Sequence, residues 1–501
     1  MMMKIKSPYL LVLILWLCSI AIRIPQLNRP LSKHHEFVTA HVLRIMKIWN
    51  QQGASHFHFN PVMSYDGAAN KFINNQTTEN FDTAGNAYYL SYPPLSFIAP
   101  YFLFGGWIQT PTALSLLLFN LLLHLIECLL LYQICLLLCR SCSPDQQHKI
   151  GVIAVLVHLF SPCLLWFHGN VYCMDMPALT LWLLCVWLWL KNSEAIISNQ
   201  NNRGVLLTAL FICSFLLSYT EYLGVAFAFT VFAYSLFNRK YFLPAIRVCA
   251  GTVCALLLMV YQYSLIGGMD KLMSFVQSRY AERSGYSNHF SFSKIIGEWG
   301  IVGMNYLTGF APWILLLACL IFLHRKKIFS QKFFNHSIIQ FSIVLIVPVL
   351  LHHILFLNAA GHDFHQMKAS PFFAIAIALG YVSQNERWKK NLFSIILLAN
   401  IFLFYWINPP GKVSLTGDSY SFFLEQGKFI HENAKDDEVV FLNGISDEPQ
   451  LVWYAQRNLR TIQSADEAIR FLKMRHLLKG IIFTRDRNQL IKVQQHLELA
   501  Q

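Results

Sequence analysis

Apolar runs close to twenty residues long recur through the first 407 positions of this 501-residue chain and are absent from roughly the last 90. That length suits an α-helix crossing a ~30 Å hydrocarbon core, which needs about 20 residues. Lys and Arg cluster in the polar breaks at 4–6, 140–149, 191–203, 238–240, 324–332 and 386–390. Basic residues beside a span resist translocation, so these clusters mark one side, the cytoplasmic one. Eleven spans satisfy all of them: about 8–24, 112–139, 150–168, 176–190, 204–219, 222–237, 243–266, 301–323, 337–357, 369–384 and 391–407. The run Tyr92–Trp107 is short and broken by prolines, which predicts a re-entrant or interfacial helix within a first outside loop of about 25–111. Lys4 and Lys6 precede the first run, and no small-residue cleavage site follows it before Arg23, so an uncleaved anchor is expected.

After Trp406-Ile-Asn-Pro-Pro-Gly411 the pattern changes, and acids and bases balance. Helices are predicted at 420–433 and near 449–457, strands at 438–442, 460–462 and 480–484, and a helix opening at the capping box Ser464-Ala-Asp-Glu467. A last helix is expected over 487–499. Residues 411–501 thus read as a small α/β domain of parallel-sheet character, with no Gly-rich phosphate loop. The fold class is a polytopic α-helical membrane protein of about 11 transmembrane helices (1–407) carrying that extramembrane domain outside.

Composition agrees. Mean hydropathy is +0.42, and 13% of residues are charged against roughly 25% in soluble domains. The net charge of +13 is spread over short loops rather than gathered in one stripe, which argues against a nucleic-acid partner. Ten of the twelve cysteines fall within apolar runs, where a thiol serves as a small hydrophobe, and no disulfide framework is implied. The sequon Asn75-Gln-Thr77 falls on the first outside loop.

The polar clusters not used as basic anchors fall on the outside: 32–92, 168–175, 220–222, 267–300 and 358–368. Ionisable residues at span ends are costly and signal function. Glu36 opens an amphipathic run, 37–49, that would lie in the interface. It reads either as a partly desolvated general base or as a charge favoured by a helix N-terminus. His34 and His35 suit headgroup contact or a solvated loop. Asp175 precedes Pro177 and reads as an N-cap or as a second carboxylate facing Glu36. Glu221 sits at the tip of the hairpin Ser218-Tyr-Thr-Glu-Tyr-Leu-Gly224. Arg279 and Arg283 share a helix face and suit a phosphate, or a solvated helix. His362, Asp363, His365 and Lys368 crowd one span end. His362 and His365 are spaced for a metal, but phosphate or sugar contact fits this set better.

Taken in order, these motifs resemble the GT-C superfamily of membrane glycosyltransferases, in the branch of protein mannosyltransferases and lipid A aminoarabinose transferases. The matching pieces are His34-His-Glu36, the long first loop, Ser91-Tyr-Pro-Pro-Leu95, Asp175-Met-Pro177, the Thr-Glu-Tyr-x-Gly hairpin and the His-x-x-His turn. The resemblance implies an inverting sugar transfer from a polyprenyl-phosphate donor to a hydroxyl on a glycolipid, glycan or protein, among membrane lipids. Glu36 would be catalytic and Asp175 a second acid beside the acceptor or a divalent cation. Arg283 and the 362–368 turn would hold phosphate, and Tyr92, Pro93 and Pro94 would shape the pocket wall. His35 stands where many relatives have Asp. Apart from that cation no cofactor is implied. The expected location is a bacterial inner membrane, with the site on the periplasmic face. The rival class is a transporter or flippase of lipid-linked sugars, but no internal repeat is present.

Overall fold

The computed structural model describes residues 7–32, 34–73, 80–105, 111–198, 203–285, 292–328, 336–382, 388–408, 421–477, 479–484 and 490–494. The sequon at 75–77, Lys4, Lys6, the linker 409–420 and parts of the basic clusters lie outside them. In chain order the helices are α1 (Pro8–Arg23), α2 (Phe37–Gln52), α3 (Leu95–Pro100), α4 (Ala113–Leu138), α5 (Pro144–Leu159), α6 (Pro162–Asn170) and α7 (Asp175–Ile197). They continue with α8 (Arg203–Ser218), α9 (Leu223–Phe237), α10 (Phe242–Gly267), α11 (Met269–Ser284), α12 (Phe292–Ile328) and α13 (His336–Leu355). The last six are α14 (Leu357–Ala360), α15 (Ser370–Val382), α16 (Trp388–Ile407), α17 (Phe422–Asn433), α18 (Pro449–Ala455) and α19 (Ala465–Met474). Two compact units emerge, one of Met1–Asn28, Leu117–Met259 and Arg279–Pro410, the other of Arg29–Leu116, Val260–Ser278 and Gly411–Gln501.

The first unit is helical. Val12 of α1 packs with Cys128 and Tyr132 of α4 and with Val155 and Leu159 of α5, all buried. On the outer surface the pattern inverts. Leu398, Phe402 and Trp406, four residues apart on α16, are about two-thirds exposed, as are apolar side chains along α10 and α12. An apolar stripe pointing away from the core has lipid as its natural solvent. Among the described residues five helices are long and apolar enough to cross a membrane, or six if one bent pair is a single span. The protein is an integral membrane protein of many helices.

That bent pair corrects the span expected at 150–168. α5 and α6 meet at 63°. Pro162 lacks an N–H and crowds the residue before it, so Ser161 is extended at ψ 131° and the helix restarts at the proline.

In the second unit the strands β1 (Asn80–Phe81) and β2 (Ala87–Tyr88) form a small antiparallel pair. The strands β3 (Val439–Asn443), β4 (Leu459–Ile462), β5 (Lys479–Thr484) and β6 (Leu490–Gln494) form one sheet in the order β4-β3-β5-β6. β3 runs parallel to both β4 and β5, while β6 is antiparallel to β5, with Lys479 opposite Gln494. The helix expected over 487–499 is therefore wrong where the chain is described. Ile491 and Val493 are β-branched and two apart, a strand period, and the free edge of β5 supplies the partner. Ser464 caps α19 by accepting from the Glu467 N–H, while Glu467 reaches back to the Gln463 N–H rather than to Ser464.

α2 also departs from the interfacial helix expected of it. Its apolar residues Val38, Ile45 and Trp49 are buried, but so are His41 and Arg44 on the polar side. Arg44 donates to Asn458 Oδ1 at 3.0 Å and Lys47 to Gln456, so the segment after α18 covers the face that sequence alone assigned to the interface.

The α8–α9 hairpin depends on close approach. A Cβ at Gly224 would fall 2.3 Å from Ser218 Oγ and 2.7 Å from its Cα. Gly224→Ala should destabilise the protein by about 1–3 kcal/mol, read as a lowered Tm in detergent. An unchanged Tm would contradict this packing.

Candidate functional site

Each unit holds a cluster of buried ionisable groups. In the second unit the chain turns sharply before α2. His35 has φ 59°, in the left-handed region that histidine tolerates better than most residues, and Glu36 follows at the helix start. The Glu36 side chain does not cap α2. It turns back, so that Oε1 accepts from Arg29 Nη2 at 2.7 Å and Oε2 accepts the Ser32 N–H. Arg29 Nη1 also donates to Ser32 Oγ at 2.9 Å, and Gln450 donates to the Ser32 carbonyl, which fixes the loop. Tyr454 Oη accepts the neighbouring Leu31 N–H at 2.9 Å.

Glu36 is only 2% exposed. Burial raises its pKa above the usual carboxylate range, with Arg29 and the Ser32 hydrogen bonds opposing that shift only in part. A carboxylate poised this way accepts a proton more readily than a solvated one. His34 and His35 are half-buried with rings 5.4 Å apart. Tyr92 is buried in the same unit, its carbonyl accepts from Tyr263 Oη, and its ring stacks with Tyr89, which stacks in turn on His41.

In the first unit Asp175 is not an N-cap. Met174 holds that position, and Asp175 is the first helical residue with its carboxylate turned into the core. Asp175 Oδ1 lies 2.8 Å from Lys368 Nζ and 3.0 Å from His365 Nδ1. Lys368 also faces Glu221 Oε1 at 3.5 Å and His352 Nε2 at 3.3 Å, while His352 Nε2 is 2.8 Å from Glu221 Oε1. Glu221 Oε2 accepts the Leu223 N–H at 2.6 Å, anchoring the start of α9. Each of these five side chains is 3% exposed or less.

The 362–368 turn thus divides. His365 and Lys368 face inward to the carboxylates, whereas His362 is exposed and stacks on Phe364, and the Asp363 carbonyl accepts from Cys163. Arg279 and Arg283 share α11, but Arg279 pairs with Glu282 at 2.6 Å, and Arg283 lies near enough for its charge to act on Tyr222.

Sequence reasoning missed Arg29, His352, His353 and a second cluster, in which Arg23, His124, Glu127 and His158 join His168 of the expected outside stretch 168–175, all fully buried. The signal for this cluster was present, since ionisable residues inside apolar runs are rare and placed for a reason. His124, Glu127 and His168 are close enough together to hold a metal ion, as are His124, Cys128 and His158.

No protein-family profile matches the sequence, and no curated protein is significantly similar to it. Solved structures do share its architecture. ArnT from Cupriavidus metallidurans bound to undecaprenyl phosphate superposes with a TM-score of 0.61 at 12% identity, over 95% of this chain and 93% of that one. The Archaeoglobus fulgidus oligosaccharyltransferase in its apo form gives 0.58 at 10% identity, over 95% and 70%. The archaeal oligosaccharyltransferase AglB from Archaeoglobus fulgidus, in complex with an inhibitory peptide and a dolichol-phosphate, gives 0.57 at 10% identity, over 95% and 69%. The chain has the GT-C fold.

Removing the Lys368 charge leaves Asp175 and Glu221 uncompensated in the core. Lys368→Met should cost about 3–5 kcal/mol of unfolding free energy, measured by denaturant titration in detergent. Adding Asp175→Asn should cost much less than it does alone, because the pair is coupled. Fully additive losses would contradict the clamp.

Proposed function

We propose that this protein is a membrane glycosyltransferase that moves a sugar from a polyprenyl-phosphate donor to a hydroxyl on a glycolipid, glycan or protein acceptor. The reading rests on one observation above others: a buried carboxylate with a raised pKa, Glu36, at the head of the first long loop of a GT-C fold. ArnT in the superposed structure binds undecaprenyl phosphate and AglB a dolichol-phosphate, which supports a lipid-phosphate donor here.

In the reaction Glu36 takes the proton of the acceptor hydroxyl. The freed oxygen attacks the anomeric carbon from the face opposite the phosphate, so the configuration inverts, and polyprenyl phosphate departs with the bonding pair. Arg283 and His362 are the groups of the first unit assigned to the leaving phosphate. A guanidinium presents a planar donor fork matched to phosphate oxygens. Asp175, Glu221, His365 and Lys368 act as positioning residues, since their charges are spent on one another. Tyr92 serves as pocket wall. His35 takes the strained position that Asp also tolerates, so its exchange for Asp preserves the turn that aims Glu36.

The eleven-crossing topology belongs to this proposal, with the catalytic loop and the 411–501 domain on the outer, periplasmic face of a bacterial inner membrane. The basic clusters of the opposite loops support that orientation.

Glu36→Gln should bind lipid donor normally and lose about 10²–10⁴-fold in transfer rate, measured on purified protein with labelled polyprenyl-phosphate sugar. Wild-type turnover by this variant would exclude Glu36 as the base. The pH dependence is a separate check. The base form is the ionised one, so the rate should fall as pH drops through a pKa above the ordinary carboxylate range. Arg29→Gln removes the opposing cation, raises that pKa further and should move the acid limb to higher pH. An unmoved limb would show that a different group controls the rate.

A further inference from the structure

The chain after the 409–420 linker shares the second unit with the Glu36 loop and meets that loop through α18. Pro449, whose fixed φ and missing N–H suit the first turn of a helix, starts α18. Gln450 and Tyr454 stand four residues apart and therefore share a face. Leu451, Val452 and Ala455 are buried around the rest of the helix. α17 backs Tyr454 directly, since a Cβ at Gly427 would fall 2.3 Å from the Tyr454 Cβ and 2.9 Å from its carbonyl carbon. Just past α18 the chain is clasped to α2 and to the 65–70 segment. Asn458 Oδ1 accepts from Arg44 at 3.0 Å and from the Tyr65 N–H at 3.2 Å, and the Asn458 N–H donates to Asn70 Oδ1 at 2.8 Å. α18 is thus held in place with its polar face on the loop.

Three successive peptide groups of the loop carry the geometry. The Leu31 N–H, on the first, donates to Tyr454 Oη at 2.9 Å. The Ser32 N–H, on the second, donates to Glu36 Oε2. The Ser32 carbonyl, on the third, accepts from Gln450 Nε2 at 2.5 Å. Peptide groups are planar, so holding the outer two restricts the tilt of the one between them. Gln450 is 1% exposed, and its Oε1 has no hydrogen-bond partner among the described residues. An amide buried in this way costs more than an apolar side chain would. It contributes little to stability, and what it does supply is the bond to the Ser32 carbonyl.

Resting on the reading of Glu36 as the base, we propose that Gln450 and Tyr454 are positioning residues for it, because α18 fixes the peptides on either side of the one whose N–H holds the carboxylate. The C-terminal part of the chain then acts through Glu36 rather than on substrate. Among the described residues, the charged and titratable groups that act on Glu36 are Arg29 and His34 from its own loop and Tyr454 from α18. The Ser32 hydrogen bonds favour the ionised carboxylate against the effect of burial. A Ser32 N–H tilted away from Oε2 therefore raises the proton affinity of Glu36 still further.

The test reads Glu36 itself, in full-length protein in detergent, without donor or acceptor. Infrared difference spectra taken across pH show the C=O stretch of protonated carboxyls, and the component missing from Glu36→Gln belongs to Glu36. Its midpoint should rise by about one pH unit in Gln450→Ala and in Tyr454→Phe, the size expected when a hydrogen bond to a charged group weakens. A wild-type midpoint in a folded variant would overturn the role of the residue it lacks. Tyr454→Phe keeps the ring and its packing, and it decides alone if Gln450→Ala does not fold. The readout needs no sugar, so an unmoved midpoint refutes the positioning and leaves the transferase reading standing. Raised midpoints in a protein that transfers no sugar would refute that reading and support the positioning.

Discussion

Lys368 Nζ stands between Asp175 and Glu221 in a core where each charge, taken out of water, carries a penalty of several kcal/mol. The ammonium offsets both carboxylates and is itself fully buried. Each partner also begins or adjoins a helix. Asp175 is the first residue of α7, Glu221 bonds the N–H that opens α9, Lys368 lies just before α15, and His352 sits in the last turn of α13. One ammonium group therefore fixes the relative placement of four helices in this unit.

Glu36 answers the same constraint in the second unit with less compensation. It has one guanidinium and the hydrogen bonds of Ser32, and these do not cancel the effect of burial, so its proton affinity stays raised. The contrast separates two roles that a carboxylate in a poor solvent can have. Where close cationic and hydrogen-bonding partners outweigh desolvation the group is a fixture, as at Asp175. Where desolvation wins, the group is ready to take a proton, as at Glu36.

Much of the helical layout was legible in the spacing of apolar runs, because lipid imposes a length on a span. Among the described residues each of the eleven expected segments is helical, although only five or six helices are long and apolar enough to span, and the described elements from 422 to 484 fall within a few residues of their predicted places. What failed did so locally. Pro162 broke a run whose hydropathy is continuous, and Ile491 and Val493 followed the edge of β5 rather than a helical period. The candidate site was legible in residue type more than in pairing. Lys368 and His365 were expected to meet phosphate, but partners far away in sequence turn them inward, Asp175 lying 190 residues from His365 and Glu221 meeting Lys368, and no local pattern reports such a contact. His124, Glu127 and His158 were hidden within apolar segments that read as plain spans.

The central claim is that the sugar changes partner rather than side. Purified protein in liposomes, supplied with polyprenyl-phosphate sugar and an acceptor-bearing envelope extract, allows the lipid fraction to be followed by mass spectrometry. The account predicts loss of sugar-bearing donor matched by an equal gain of free polyprenyl phosphate. Donor that moves between leaflets with its sugar still attached, and no free polyprenyl phosphate, would contradict it.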